Sequence, residues 1–467
     1  MNMRNQQRIE RPFGMRDKLG YMFGDFGNDF TFVLSSSFLL KFYTDVMGVS
    51  AGVVGIIMML ARFVDAFTDV GMGRICDKSR VTPNGKFKPW ILRMCGPVAI
   101  ASFLIYQSSL ADMSMPFKIA YLFVTYILWG SIFYTAVNIP YGSMASAISA
   151  EPGDRQSLST YRSMGATLAG MFIGAGVPLV AYDKIEGNAV LNGSRFTLIA
   201  GIFSILAVVC YLLCYVLTTE RVMPQRSDEV AKNNSVRVMF QNAVKNRALL
   251  SIIAASIVML LAQLTMQSMA NYVFPNYYGS PEAQIVSTFM MLFGMVGAAA
   301  VAKPLAGKFG KAEIAVVSNL LAVVVSILLF FLRPENVWVY VLIQAVSWFG
   351  LGVFTMVSWA LITDVIDYSE LKNGVREDGS VYALYSFARK LGQAAAAGLT
   401  GFLLDFIGYS AATAFDEKVL DGIYDISTLV PALGFGLLAA ILWFWYPLHK
   451  KEVDANVEKL RKKHEKE

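Results

Sequence analysis

Ala61-Arg62-Phe63-Val64-Asp65-Ala66-Phe67-Thr68-Asp69 sets four polar side chains into an apolar run that extends from Val53 to Cys76. At 3.6 residues per turn, Arg62, Asp65, Thr68 and Asp69 fall within roughly 120° of arc and share one helical face. The run is long enough to cross a bilayer, where a carboxylate costs about 2.5–3.5 kcal/mol and turns toward a bundle interior or a watery cavity, away from lipid. Two carboxylates at i and i+4 with a hydroxyl between them offer hard oxygen ligands to a small cation, or a proton acceptor. The structural alternative is that Arg62 neutralises Asp65 and the cluster ties helices together. One arginine does not balance two aspartates, which favours a coupling-ion site containing Asp65, Thr68 and Asp69.

Working outward, the composition sets the class. The 467 residues are 55% hydrophobic and 16% charged, with a mean hydropathy of +0.50; soluble domains carry about 25% charged residues. Apolar spans can be laid near 19–46, 50–76, 89–110, 118–147, 157–183, 195–219, 248–275, 284–306, 312–332, 336–364, 379–408 and 425–447. The expected fold is therefore all-α, a polytopic membrane protein with twelve transmembrane helices. Of the 40 Lys and Arg residues, five (Lys118, Lys184, Arg195, Arg333, Lys418) fall in the odd-numbered loops. Most of the rest cluster at the amino terminus, the even-numbered loops and the tail, which places both termini in the cytoplasm. The net charge of +6 needs no nucleic-acid partner, because the basic residues lie where they hold topology and meet anionic lipid. The polar start and long first span predict no cleavable signal peptide.

Several chemistries drop out. Cys76, Cys95, Cys210 and Cys214 lie in or at the ends of apolar spans without metal spacing. The two histidines, His449 and His464, sit at the carboxyl end, so no histidine relay is expected in the membrane. No P-loop, Ser-His-Asp set or zinc signature is present. The remaining reading is a secondary carrier, not an enzyme, with no cofactor beyond a coupling ion.

Span one contains Asp25-Phe26-Gly27-Asn28-Asp29. Asp25 is near the inner end, and Asp29 lies about a turn deeper and is the better site candidate, with Asn28 beside it. Gly20, Gly24 and Gly27 keep that helix slim for close approach. In span four, Tyr134, Thr135, Asn138 and Tyr141 form a polar stripe, and Pro140 frees a carbonyl one turn earlier; the stripe serves either a ligand or helix-to-helix hydrogen bonding. Arg155 and Arg162 flank the start of span five, and Arg162 reaches farther inside. Gln263, Gln267 and Asn271 recur every four residues in span seven, facing a polar solute or other helices. Trp348 and Trp359 in span ten suit stacking on a solute or interface belts. Lys390 is the deep lysine of span eleven. The insert from Asp183 to Arg195 reads as a strand-like outer loop, and the tail from Lys450 as a solvated helix or a disordered segment.

After span two, Gly73-Arg74-Ile75-Cys76-Asp77-Lys78-Ser79-Arg80 resembles the signature loop of the major facilitator superfamily. Leu40-Lys41-Phe42-Tyr43-Thr44-Asp45, the span-two stretch, Gly85-Lys86-Phe87-Lys88-Pro89-Trp90, Tyr126-Ile127-Leu128-Trp129-Gly130, Asn138-Ile139-Pro140-Tyr141, Asp364-Val365-Ile366-Asp367-Tyr368 and Arg389-Lys390 together resemble the glycoside-pentoside-hexuronide:cation symporters, the melibiose permease-like group. The resemblance implies sugar uptake driven by symported Na⁺, Li⁺ or H⁺. It implies a cation site of Asp65, Thr68, Asp69 and Thr135, and a sugar site with Asp29, Asn28, Asn138, Arg162 and Lys390, to which Tyr141, Trp348 and Gln267 add candidates. Asp77, Arg80, Asp364, Asp367, Arg376 and Arg389 would form a gating charge network. Asn138 stands where melibiose permease-like members carry a carboxylate, and Gly142 where they carry tryptophan, which points away from galactosides and toward glucuronide, xyloside and pentoside carriers. The expected domains are a six-helix bundle at 1–219, a cytoplasmic linker at 220–247, a second bundle at 248–449 and a cytoplasmic tail at 450–467. The expected setting is the inner membrane of a bacterium, as a monomer partnered by the bilayer, a sugar and a monovalent cation. A lysolipid carrier of the same superfamily and a non-transporting membrane protein are the alternatives. Thr68 supplies an oxygen for Na⁺, whereas Arg62 one turn from Asp65 would leave Asp69 as a proton carrier, and this tilts the expectation toward H⁺.

Overall fold

The computed structural model describes residues 11–222, 246–373 and 378–464. Among them, thirteen helices follow one another: α1 (Met15–Asp45), α2 (Ala51–Lys78), α3 (Lys88–Ile105), α4 (Met115–Ile148), α5 (Pro152–Val180), α6 (Gly193–Leu217), α7 (Arg247–Tyr277), α8 (Pro281–Phe309), α9 (Lys311–Leu332), α10 (Val337–Asn373), α11 (Asp378–Phe406), α12 (Glu417–Trp445) and α13 (Lys450–His464). Ten of the first twelve are apolar and long enough to cross a membrane on hydropathy alone. The other two, α1 and α11, fall short because they carry Asp25, Asp29 and Lys41, and Arg389 and Lys390, within their length. The all-α, twelve-helix membrane architecture is thus present, and both helices with a diluted hydropathy signal carry candidate site residues.

The insert between α5 and α6 is a β-hairpin of β1 (Tyr182–Ile185) and β2 (Asn188–Leu191). Its turn places Glu186 and Gly187 at φ 51° and 88°, the left-handed pair that a two-residue hairpin turn requires. The tail forms α13, whose Leu460 is buried and whose Val453 packs on the core of the second unit. It is a docked helix, more ordered than its charge pattern suggests. The linker stretch 223–245 and Arg376 lie outside the described residues.

The chain divides into two compact units. The first comprises Met1–Phe42, Leu60–Ala181 and Leu191–Asp228; the second comprises Tyr43–Met59, Tyr182–Val190 and Glu229–Glu467. In the first unit α1 lies against α6 through its glycines. A Cβ at Gly20 would come within 2.7 Å of Leu217, and one at Gly27 within 3.0 Å of the Tyr211 ring. Apolar burial gives helices in lipid little net drive to associate, so such backbone proximity and the hydrogen bonds it permits hold them together. Where α1 begins and α6 ends, the fully buried Asp17 accepts from Arg11 at 3.0 Å, from Arg221 at 2.9 Å and from the Thr219 amide at 3.0 Å. The Gly85–Trp90 motif also finds its physical role here. The Glu220 carboxylate accepts from the backbone amides of Lys86, Phe87 and Lys88 at 2.7, 2.9 and 2.7 Å, at the start of α3. Those amides lack intrahelical partners and carry the positive end of the helix dipole. Gly85, at φ +108°, has no side chain to collide with that carboxylate.

The second unit is built on a core from α7 to α12, including Met259, Ala298, Leu351, Phe354, Tyr385 and Phe435. The α1–α2 turn packs on α11 in the same unit. Ser50 Oγ donates to Asp405 Oδ2 at 2.8 Å, Tyr409 OH to Asp45 Oδ1 at 2.7 Å, and a Cβ on Gly55 would meet the Ala397 carbonyl at 2.9 Å.

Candidate functional site

The polar face of α2 is met by α4 in two rungs of constant register. Ser131 Oγ donates to Asp65 Oδ1, and one turn on, Thr135 Oγ1 donates to Asp69 Oδ1 at 2.9 Å. Each aspartate pairs with the residue 66 positions later, as two helices running in the same direction require. The α4 backbone widens into a π-helical turn over Leu128–Tyr134, a distortion that recurs at functional sites. Its Gly130 lies against the Asp65 carboxylate, a Cβ there standing at an ordinary contact distance of 3.7 Å from Oδ1. Asp65 is also paired with Arg62 at 3.3 Å, both side chains being about one-seventh exposed. The Arg62 guanidinium lies 4.7 Å from the Phe32 ring centre. Asp65 therefore receives both a hydroxyl and a cation. The Thr68 hydroxyl donates within its own helix, toward the Val64 and Asp65 carbonyls at 3.3 and 3.1 Å, and keeps its oxygen lone pairs as acceptors.

Beside these rungs, α1, α4, α5 and α6 converge on a second polar group. Arg162 Nε donates to Asp25 Oδ1 at 2.9 Å. The same guanidinium stands 5.3 Å above the Tyr141 ring. Tyr141 itself is fully buried, its hydroxyl donating to the Tyr21 carbonyl at 2.7 Å and its ring stacked on Tyr21 at 4.6 Å. It acts as a platform for Arg162, not as an open hydroxyl. Asn28 is buried between Tyr211, which donates to its Oδ1 at 2.9 Å, and Asn138, whose Oδ1 accepts from it at 3.4 Å. Asp29 and Asn138 are half-buried. Asn28, Asp29, Asn138, Asp25 and Arg162 thus gather hydrogen-bonding groups of both polarities, able to read hydroxyls and to hold one carboxylate against one guanidinium.

The second unit holds the other candidates. Lys390 is half-buried on α11. Gln267 is half-buried on α7, with Nε2 at 4.0 Å from Met291 Sδ. Asn271 and Gln344 are buried in helix-to-helix bonds, with Gln284 at 2.7 Å and Ser287 at 3.1 Å. Trp348 is a core residue, 5% exposed, packed where Gly294 of α8 lacks a side chain. Of the expected gating charges, Asp364 pairs with Lys311 at 2.6 Å. Arg389 lies 5.9 Å from the rings of both Trp359 and Tyr385. Asp367 is half-buried, and Asp77 and Arg80 are exposed at the end of α2 in the first unit.

Ser131, Tyr211, Lys311 and Glu220 were not singled out in the sequence. Ser131 was findable: it lies one turn before Thr135 and so shares its face. Tyr211 carries no such signal, because it sits in a helix whose most apolar window has a mean hydropathy of 2.5.

Comparison with known proteins agrees with this architecture. A family model described as MFS/sugar transport protein matches residues 20–450. The glucuronide carrier protein homolog of Escherichia coli is 31% identical over 453 residues, 95% of each chain. The isoprimeverose transporter of Lactiplantibacillus pentosus is 31% identical, covering 92% of this chain and 88% of that protein. Among solved structures, a mutant of the nucleoside transporter NupG shares the fold, with a TM-score of 0.68 at 12% identity, covering 92% of this chain and 100% of that one. A D-xylose-proton symporter shares it with a TM-score of 0.61 at 14% identity, covering 93% and 97%. With the model match spanning nearly the whole chain, the protein belongs to the MFS/sugar transport protein family: it is an integral membrane transporter of sugars in the glycoside-pentoside-hexuronide symporter-like branch of the major facilitator superfamily, not an enzyme.

Proposed function

We propose that the chain is a cation-coupled symporter that takes up a glycoside, pentoside or hexuronide by alternating access. The observation that carries this reading is the pair of carboxylate–hydroxyl rungs, Asp65–Ser131 and Asp69–Thr135, set in an apolar helix within the same unit as the Asn28, Asp29, Asn138 and Arg162 group. Carboxylates at membrane depth mark ion and proton pathways. A symporter must in addition hold ion and solute on coupled elements. α4 supplies that coupling, because Ser131 and Thr135 face α2 while Asn138, one turn on, bonds α1. The names of the relatives, a glucuronide carrier and an isoprimeverose transporter, support the substrate class.

The Arg62–Asp65 pair supports H⁺ as the coupling ion. An internal guanidinium already occupies part of the Asp65 coordination sphere, and Asp69, bonded to the Thr135 hydroxyl, needs only one proton to be loaded. The even-loop distribution of Lys and Arg supports an inner-membrane setting with cytoplasmic termini. Neither reading requires a nucleic acid or a second subunit.

The test is purified transporter in proteoliposomes, offered labelled methyl glucuronide, methyl xyloside and a lysolipid, with a Na⁺ gradient at constant pH or a pH gradient without Na⁺. Accumulation of a glycoside under the pH gradient is expected. Accumulation of the lysolipid alone would overturn the substrate class, and a response to Na⁺ alone would overturn the ion. Asp29→Asn and Asn138→Ala are expected to weaken sugar binding directly; unchanged affinity in both would move the sugar site elsewhere.

A further inference from the structure

Tyr211 is a buried residue of α6 whose hydroxyl fixes the side chain next to Asn138. Its hydroxyl is the start of a chain of side chains running from α6 through α1 to α4: Tyr211 to Asn28 at 2.9 Å, then Asn28 to Asn138 at a longer 3.4 Å. Tyr211 and Asn28 are each 1% exposed, whereas Asn138 is half-buried and ends the chain. Gly27 makes the arrangement possible: a Cβ there would stand 3.0 Å from ring atoms Cδ1 and Cε1 of Tyr211, so only a bare backbone lets the ring lie on α1 beside Asn28.

An asparagine amide can turn by 180° and exchange its oxygen for its nitrogen. The Asn28–Asn138 pair alone is indifferent to this, because N–H to oxygen is satisfied in either sense. Tyr211 breaks the tie. A buried phenol must donate its proton or lose about 1–3 kcal/mol, and among the described residues the Asn28 side chain is the group it meets. Asn28 must then present Oδ1 to Tyr211 and Nδ2 to Asn138, which turns Asn138 Oδ1 inward and leaves Asn138 Nδ2 outward as a donor. We propose that Tyr211 is a positioning residue for sugar recognition, which orients Asn138 as a hydrogen-bond donor to an acceptor oxygen of the substrate. This rests on the reading that Asn28, Asp29 and Asn138 belong to the sugar site.

The experiment measures binding to the full-length transporter of whichever of methyl glucuronide and methyl xyloside the wild type binds more tightly. Its monodeoxy and monodeoxyfluoro derivatives are measured alongside; fluorine keeps weak acceptor character and cannot donate. In the wild type, one ring position is expected to tolerate fluorine better than hydrogen, as an oxygen read by a donor does. Tyr211→Phe is expected to weaken the parent glycoside about 2- to 10-fold and to erase that fluoro-over-deoxy preference. In an Asn138→Ala background the same substitution should have no further effect. Asn28→Asp supplies a second variant: with two acceptor oxygens facing Tyr211 and Asn138, it should turn Asn138 around and abolish the preference even though Tyr211 is intact. A Tyr211→Phe protein with wild-type affinity and preference, or an effect that adds in full to that of Asn138→Ala, overturns the proposal. Unchanged binding in Asn138→Ala would instead reject the underlying sugar site.

Discussion

Replacing Thr135 by valine removes one hydroxyl from the α2–α4 contact at nearly constant volume, and its effect has opposite signs for the two candidate ions. The hydroxyl donates to Asp69 Oδ1 at 2.9 Å and lies 3.2 Å from the Gly130 carbonyl; the shorter, charged acceptor holds its proton. A hydrogen bond to a charged group contributes about 1.5–3 kcal/mol, which is a factor of about 10 to 150 in an equilibrium constant. If the coupling ion is a proton, the bond stabilises the unloaded carboxylate. Its loss then favours loading, and half-maximal uptake should need a proton concentration lower by about that factor. If the ion is Na⁺, the hydroxyl oxygen is itself a ligand, and half-maximal uptake should need more Na⁺. The assay is initial uptake of labelled glycoside by right-side-out vesicles, titrated with pH in the absence of Na⁺ and with Na⁺ at fixed pH. Thr135→Ser should restore wild-type behaviour. Midpoints within about twofold of wild type in both titrations, well below the factor expected from the lost bond, would refute the assignment of Asp69 and Thr135 to the ion.

Asp65→Asn and Asp69→Asn are expected to abolish accumulation against a gradient while sugar binding stays measurable, read by parallel uptake and equilibrium binding; accumulation intact in both variants would reject the cation site. At the other end of the unit, Asp17→Ala strips Arg11 and Arg221 of a fully buried counter-charge. Removing one partner of such a group costs about 3–5 kcal/mol, so the variant should unfold at clearly lower temperature in a detergent melt, and a wild-type melting curve would contradict the packing described. Glu220→Ala leaves three α3 amides without their carboxylate and should lower the same melting temperature by less, since water can reach that half-buried position; a larger loss than that of Asp17→Ala would reverse the ranking.

Membrane depth makes much of this protein legible from sequence. A polar side chain surrounded by lipid is costly, so the faces carrying Arg62, Asp65 and Asp69, or Asn138 and Tyr141, had to point inward, and the apolar lengths between charged loops had to be helices. The insert from Asp183 to Arg195 read as strand-like, and it forms the hairpin of β1 and β2. What local pattern cannot supply is the identity of a partner. Thr68 and Ser131 are both hydroxyls near Asp65, and nothing in α2 alone says that the first bonds its own backbone while the second, 66 residues away, meets the carboxylate. Tyr141 and Tyr211 are both buried tyrosines, yet one supports an arginine and the other orients an amide. The tail shows the same limit, because its charge pattern implies solvent while Leu460 is buried and Val453 packs on the core of the second unit once its helices are assembled. Residue type determined what each side chain is able to do; the register of packed helices, set by glycines and by one widened turn in α4, decided which of those capacities meet.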